Sequence, residues 1–182
     1  MNINRRNFLK GSVFAGAAAC AADAGALGFW NLFGFSSGAP MHGYAAPRLP
    51  EIRLGIVGMG GRGQGVLGRI KGLPGVKVVA ICDINPNKIA QAQKRLQDAG
   101  KPSAKEYLGP EAYRALCDDG NVNVVYNTTP WELHVPVALA AMKGGKHVFT
   151  EVPSAFTVDE CWELVETSEA TKKHCMQLEN CC

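Results

Sequence analysis

An α/β fold, built as a doubly wound parallel sheet, follows from three features of the sequence. A short apolar run, Leu54 to Val57, leads directly into Gly58, Gly60 and Gly63 at G-x-G-x-x-G spacing. An acidic residue, Asp83, ends the next apolar run, twenty residues past Gly63. Strand-like and helix-like stretches then alternate through short turns as far as Leu178. Repeated βα units of this kind imply parallel strands with right-handed crossovers.

Leu54 to Val57 is short and rich in β-formers, as a buried strand should be. Gly58 permits the tight turn, Gly60 lets the backbone approach a pyrophosphate, and Gly63 lets helix and strand pack closely. Val66, Leu67 and Ile70 follow at helical spacing. The start of that helix presents unpaired N–H groups and a positive dipole end to phosphates. Val76 to Cys82 is the second strand, and Asp83 at its end is placed to accept hydrogen bonds from ribose hydroxyls. A 2′-phosphate there would face a carboxylate, so the pattern favours NAD over NADP. Strand, glycine turn, helix, strand and acid together predict a Rossmann-type NAD-binding domain. The alternative is a glycine-rich turn that binds nothing.

Asn85-Pro86 opens a polar helix to about Ala99, with Ile89, Ala92 and Leu96 inward, and Gly100-Lys101-Pro102 breaks it. Lys105 to Leu108 reads as a short strand, and Glu111 to Cys117 as a helix with Tyr113 and Leu116 on one side. Val122 to Tyr126 is a strand that ends in Asn127-Thr128-Thr129-Pro130. Glu132 to Lys143 is a helix with Val137, Ala140 and Ala141 inward, stopped by Gly144-Gly145. His147 to Thr150 is a strand followed by Glu151-Val152-Pro153. Thr157 with Glu160 forms a capping box for a helix to about Thr171, with Cys161, Leu164 and Val165 inward. Cys175 to Leu178 is the last strand.

In such sheets ligands sit beyond the carboxyl ends of the strands. Four segments qualify: Gly58 to Gly63, Thr128 to His134, Glu151 to Pro153, and Glu179 to Cys182. Thr128-Thr129-Pro130 offers hydroxyls and N–H groups to the nicotinamide half. Trp131 is flat and apolar, suited to covering a ring, and His134 lies one turn into the helix. The alternative is that Trp131 packs on the sheet edge and His134 caps a helix.

The N-terminus reads differently. Arg5, Arg6 and Lys10 precede an uncharged Gly/Ala-rich run from Gly11 to Ala22, a basic n-region before a weakly hydrophobic h-region. Arg5-Arg6 with Phe8-Leu9-Lys10 resembles the twin-arginine export signal, with Asn4 where Ser or Thr is usual. The run falls short of the ~20 apolar residues a membrane span needs, so no stable span is expected. Ala19-Cys20-Ala21 and Gly43-Tyr44-Ala45 both offer small residues for cleavage, and lipidation at Cys20 stays open. Residues 1–48 are therefore expected to be signal and linker, and residues 49–182 the folded domain. Of 19 basic and 16 acidic residues, four and one lie before Leu49, which leaves 15 of each in the domain. That balance argues against nucleic acid as a partner. Cys82 and Cys117 fit buried thiols, and the seven cysteines show no metal-ligand spacing, so no metal is expected.

The G-x-G-x-x-G, the Thr129-Pro130 after a later strand and the E-x-P after the next resemble the Gfo/Idh/MocA family of NAD(P)-dependent sugar oxidoreductases. That family usually carries E-K-P, its lysine assisting proton transfer; here Val152 stands in its place. The runs T-P-W-E-L-H, T-E-V-P-S-A and Q-L-E-N-C-C resemble glycoside hydrolase family 109 within that superfamily. By that resemblance, Gly61, Arg62, Asp83, Trp131, Glu132, Leu133, His134, Glu151, Val152 and Asn180 match positions that line the cofactor.

The resemblance implies an NAD-dependent α-N-acetylgalactosaminidase that works by transient oxidation at sugar C3, elimination, water addition at C1 and re-reduction. It implies a glycan ending in N-acetylgalactosamine as substrate, twin-arginine export machinery as a partner and a periplasmic or otherwise exported location. The catalytic groups and most sugar contacts are expected beyond Cys182, in a substrate domain absent from this chain, so the fragment alone is expected to be inactive. Homo-oligomer formation of the full-length protein is left open. Two alternatives remain: an exported NAD-dependent sugar dehydrogenase of the wider family, and a non-catalytic NAD-binding module.

Overall fold

A computed structural model of the chain describes residues 40–179. Residues 1–39 of the expected leader and linker, with Cys20, and Asn180, Cys181 and Cys182 lie outside the described residues. Six strands, β1 (Ile52–Val57), β2 (Val76–Asp83), β3 (Lys105–Leu108), β4 (Val124–Asn127), β5 (His147–Glu151) and β6 (Cys175–Leu178), form one parallel sheet. Their order is β3-β2-β1-β4-β5-β6. The connections are α1 (Gly61–Ile70), α2 (Pro86–Asp98), α3 (Ala112–Asp118), a 3-10 turn (Trp131–Leu133) leading into α4 (His134–Lys143), and α5 (Val158–Thr171). The expected doubly wound sheet is present.

Alternation along the strands sorts side chains onto two faces. Leu54 and Ile56 of β1 and Ile81 of β2 join Leu67 of α1 and Ile89, Ala92 and Leu96 of α2. Val57, Ala80, Cys82 and Val125 go to the other face, with Tyr113 and Leu116 of α3, Val137, Ala138 and Ala141 of α4 and Leu164 of α5. Each buried Leu, Ile or Val contributes about 1.5–3 kcal/mol. A slip of one residue would carry the strand residues of each layer to the opposite one, so the two layers fix the register.

Local chemistry sets the boundaries. The Asn85 side chain caps α2 by accepting the Asn87 N–H at 2.9 Å, with Pro86 in the first turn. The capping box of α5 forms as expected: Glu160 N–H donates to the Thr157 hydroxyl at 3.1 Å, and Thr157 N–H to the Glu160 carboxylate at 3.0 Å. The strand expected from Val122 begins instead at Val124, because Val122 still closes a turn onto the Asp119 carbonyl. The Asn123 side chain then ties β4 to β1, bonding Arg53 N–H at 2.8 Å and the Glu51 carbonyl at 2.9 Å.

The helix expected from Glu132 is divided into the 3-10 turn and α4. Pro136 explains the break: it has no N–H for the Glu132 carbonyl, and its ring would collide with it. Two residues expected inward on α5 are not, since Cys161 and Val165 are exposed. The helix packs against α4 and has Leu164 as its one buried residue, so its remaining apolar positions are left uncovered. Ala140 of α4 is only half-buried, while Val135 and Met142 are buried. On the face covered by α1 and α2, the half of the sheet from β4 to β6 has no helix over it among the described residues. There Tyr126, Phe149 and Met176 lie side by side in register, and Met176 is 52% exposed. Ahead of Leu49, Tyr44 lies against His174, ring to ring at 5.5 Å.

Candidate functional site

The site is assembled at the carboxyl ends of β1, β2, β4 and β5. Gly58 leaves β1 with φ +90, where other residues are strained, and a Cβ there would stand 2.6 Å from the Thr128 carbonyl oxygen. A Cβ on Gly63 would overlap the Gly58 carbonyl. By contrast, a Cβ on Gly60 or Gly61 would meet nothing within 4 Å. The turn is therefore tight against β4 on one side and open above the start of α1 on the other. Gly60 caps α1 without a side chain, and the first turn holds no acidic residue. An open backbone cradle at an uncapped, positively polarised helix start fits a dinucleotide pyrophosphate.

Asp83 ends β2 beside this cradle. One carboxylate oxygen accepts the Met59 N–H at 2.5 Å and the other the Asn85 N–H at 2.8 Å. Each oxygen keeps a second lone pair, which leaves acceptor capacity for a ribose diol. Asp83 thus also braces the glycine turn from inside.

A pocket of about 220 Å³ lies between the turn and the ends of β4 and β5, lined by Arg62, Thr128, Thr129, Trp131, His134, Glu151 and Val152. Seven of the expected site residues therefore meet in one place. The Thr128 hydroxyl sits on the Val57 and Gly58 carbonyls, and the Thr129 hydroxyl on the Asn127 side chain at 2.7 Å. Their donor hydrogens are engaged within the protein. His134 is buried, with Nδ1 2.7 Å from the Pro153 carbonyl and Nε2 3.1 Å from the Thr129 carbonyl. It spans the two loops that wall the pocket.

Trp131 is 59% exposed and leans on Phe156, ring centroids 6.1 Å apart. Pro130 and Glu132 are exposed, and Leu133 packs against the core below; none of the three lines the pocket. Val152 does line it, in the place where an amine would change its chemistry.

Glu151 is 7% exposed and holds two partners. The Arg62 guanidinium donates to one oxygen at 2.8 Å, and the Tyr126 hydroxyl to the other at 3.1 Å. The bond to Glu151 raises the Arg62 pKa further and keeps the guanidinium charged. Burial, with the Glu151 charge behind it, pushes the Tyr126 phenol up to about 12, so it remains a donor near neutrality. Neither Tyr126 nor Asn127 was expected at the site. Asn127 is buried and donates to the His134 carbonyl at 3.1 Å while accepting from Thr129. An Asn followed by Thr-Thr-Pro at a strand end is a side-chain-to-backbone turn signal that could have revealed it. Among the described residues no cluster of His, Cys, Asp or Glu is able to hold a metal ion.

Residues 52–178 match the Gfo/Idh/MocA description, an oxidoreductase family with an NAD-binding Rossmann fold. A Bacteroides fragilis protein named glycosyl hydrolase family 109 protein 1 is 48% identical over 140 residues, which are 76% of this chain and 30% of that protein. An α-N-acetylgalactosaminidase of Bacteroides fragilis is 44% identical, across 77% of this chain and 33% of its own length. The chain thus spans about a third of these curated relatives. Among solved structures, the WlbA dehydrogenase from Chromobacterium violaceum, in complex with NADH and UDP-GlcNAcA, superposes with a TM-score of 0.61 at 24% identity. That match covers 74% of this chain and 37% of the dehydrogenase.

Proposed function

Because the chain belongs to the Gfo/Idh/MocA family of oxidoreductases with an NAD-binding Rossmann fold, we propose that it is the cofactor-binding part of an NAD-dependent α-N-acetylgalactosaminidase. The names of the relatives at 44–48% identity support the glycosidase assignment. One observation carries the choice over a dehydrogenase: Val152 lines the pocket, and no lysine does. A dehydrogenase of the wider family would want an amine there to move a proton at the oxidised carbon.

The reaction is a hydrolysis with no net redox change. Sugar C3 is oxidised, the C2 proton becomes acidic and is removed, and the aglycone leaves by elimination. Water then adds at C1 and C3 is reduced again. NAD, when bound, supplies the hydride acceptor and donor. Gly58, Gly60, Gly61 and Gly63 cradle the pyrophosphate, and Asp83 accepts from the adenosine ribose. Arg62, Thr128, Thr129, Trp131, His134, Glu151 and Val152 wall the nicotinamide half. Pro130, Glu132 and Leu133 shape the turn that carries Trp131 and His134. Asn180, which by resemblance matches a cofactor-lining position, lies outside the described residues. The substrate is a glycan ending in N-acetylgalactosamine, and no pair of carboxylates of the ordinary glycosidase kind takes part.

Incubation of the intact protein with an aryl α-N-acetylgalactosaminide in deuterated water tests this reading. We expect one deuterium at C2 of the released sugar and no net NADH absorbance. NADH formed in step with product, with the glycosidic bond intact, would overturn it in favour of an exported sugar dehydrogenase.

A further inference from the structure

Tyr126 lies on β4, one strand away from Glu151 and one position short of the strand end. Its ring meets Phe149 edge-on, with centroids 6.4 Å apart, on the same sheet face as α1 and α2, in the half that no described helix covers. Its hydroxyl donates to one Glu151 oxygen at 3.1 Å, and the other oxygen accepts from Arg62 at 2.8 Å. The Glu151 side chain is 9% exposed, and that of Arg62 39%. A carboxylate this buried is costly to leave half-paired, and rotation about its last bond would exchange the two oxygens unless something pins one. Tyr126 is the group that pins it. Arg62 belongs to the first turn of α1, beside the open cradle, and Glu151 ends β5 across the sheet. The Arg62–Glu151 pair therefore ties the glycine turn to the far wall of the pocket.

We propose that Tyr126 is a positioning residue of the cofactor site: its hydroxyl orients Glu151 to hold Arg62 across the cleft, and this tie slows release of the dinucleotide. The inference rests on the reading of the pocket as the NAD site. It gives a physical form to a redox-neutral cycle, in which the cofactor has no need to leave. Tyr126 acts through Glu151 and touches no reacting atom.

The experiment measures the NAD dissociation rate of the intact protein by stopped-flow fluorescence for wild type, Tyr126→Phe, Glu151→Gln and the double variant. Tyr126→Phe should release NAD about tenfold faster, the factor that a hydrogen bond to a charged group commonly carries. The double variant should release no faster than Glu151→Gln alone, because the phenol works through the carboxylate. In the NAD-free protein, the Arg62 guanidinium NMR signals should shift in Tyr126→Phe while the melting temperature stays within a few degrees. Should Tyr126→Phe fold poorly, Glu151→Asp, which withdraws the carboxylate from both partners, must itself speed release. Unchanged release in Tyr126→Phe, or effects that multiply in the double variant, would overturn the proposal. Failure of wild type to bind NAD at all would overturn the site reading as well, which separates the two.

Discussion

A carboxylate oxygen has two lone pairs, and at Asp83 one on each oxygen is already taken, by the N–H groups of Met59 and Asn85. What remains faces the cradle. Asp83→Ala should weaken NAD binding by roughly 1–3 kcal/mol, the usual cost when a charged hydrogen-bond partner is lost. It should also narrow the preference for NAD over NADP, since the charge that repels a 2′-phosphate goes with it. The two unpaired N–H groups should lower the melting temperature in the absence of cofactor. Titration of wild type with both dinucleotides checks the assignment, which fails if NADP binds as tightly as NAD. Residue type and spacing were enough to single out Asp83, because the fingerprint is local in sequence. They were silent on Tyr126, since a tyrosine in an apolar strand looks like core until the Glu151 side chain on the neighbouring strand is seen beside it. His134 was singled out by its place one turn into the helix, but its partners were not, since the carbonyls of Thr129 and Pro153 lie on two different loops.

Elements were legible wherever a local signal bounded them. Asn85-Pro86 and the Thr157/Glu160 pair start helices where their chemistry says they should. Pro136 carried the information that the helix before it could not be continuous, and only its position relative to Glu132 had to be counted. Burial on α5 was not legible, because helical spacing names a stripe but not which neighbours exist to cover it. The last strand, β6, is held partly by a titratable contact. The His174 N–H donates to His147 Nδ1 at 3.0 Å, and the two rings stack with centroids 5.4 Å apart. Burial lowers the His147 pKa, with Lys173 and His174 adding repulsion. A base depressed in the fold stabilises it fully above its ordinary value, about 6.5, and that contribution is lost as the pH falls below it. A protonated Nδ1 also cannot accept the His174 N–H. Wild type should therefore lose about one neutral hydrogen bond of stability, roughly 0.5–1.5 kcal/mol, between pH 7.5 and 5. His147→Asn, whose amide oxygen accepts at a similar place without titrating, should lose less. Melting curves across that range decide it, and parallel slopes for the two proteins would sink the idea.

The alternation of strands and helices fixed the class of the described domain, because short βα turns allow almost no other topology. It could not say what lies over Tyr126, Phe149 and Met176, the row that the described helices leave uncovered, since covering is a property of the partner and not of the strand. Arg5 and Arg6 sit ahead of a weakly apolar Gly/Ala run, and no helix among the described residues is long and apolar enough to cross a membrane. We propose export by a twin-arginine pathway, and the chemistry supplies the reason. An enzyme that returns its hydride every cycle needs NAD once, yet outside the cytoplasm it meets no ready supply. A route that carries proteins already folded lets the bound cofactor travel with them. A paired-arginine signal is read by a receptor rather than by charge alone. Arg5→Lys together with Arg6→Lys keeps the charge of the n-region unchanged, so a signal read only as positive charge would still work. The double variant should stay in the cytoplasm as uncleaved precursor, seen by cell fractionation and immunoblot, while wild type appears in the exported fraction with NAD bound. Export of the double-lysine protein at the wild-type level would remove the twin-arginine reading, and with it the argument that the cofactor leaves the cell inside the fold.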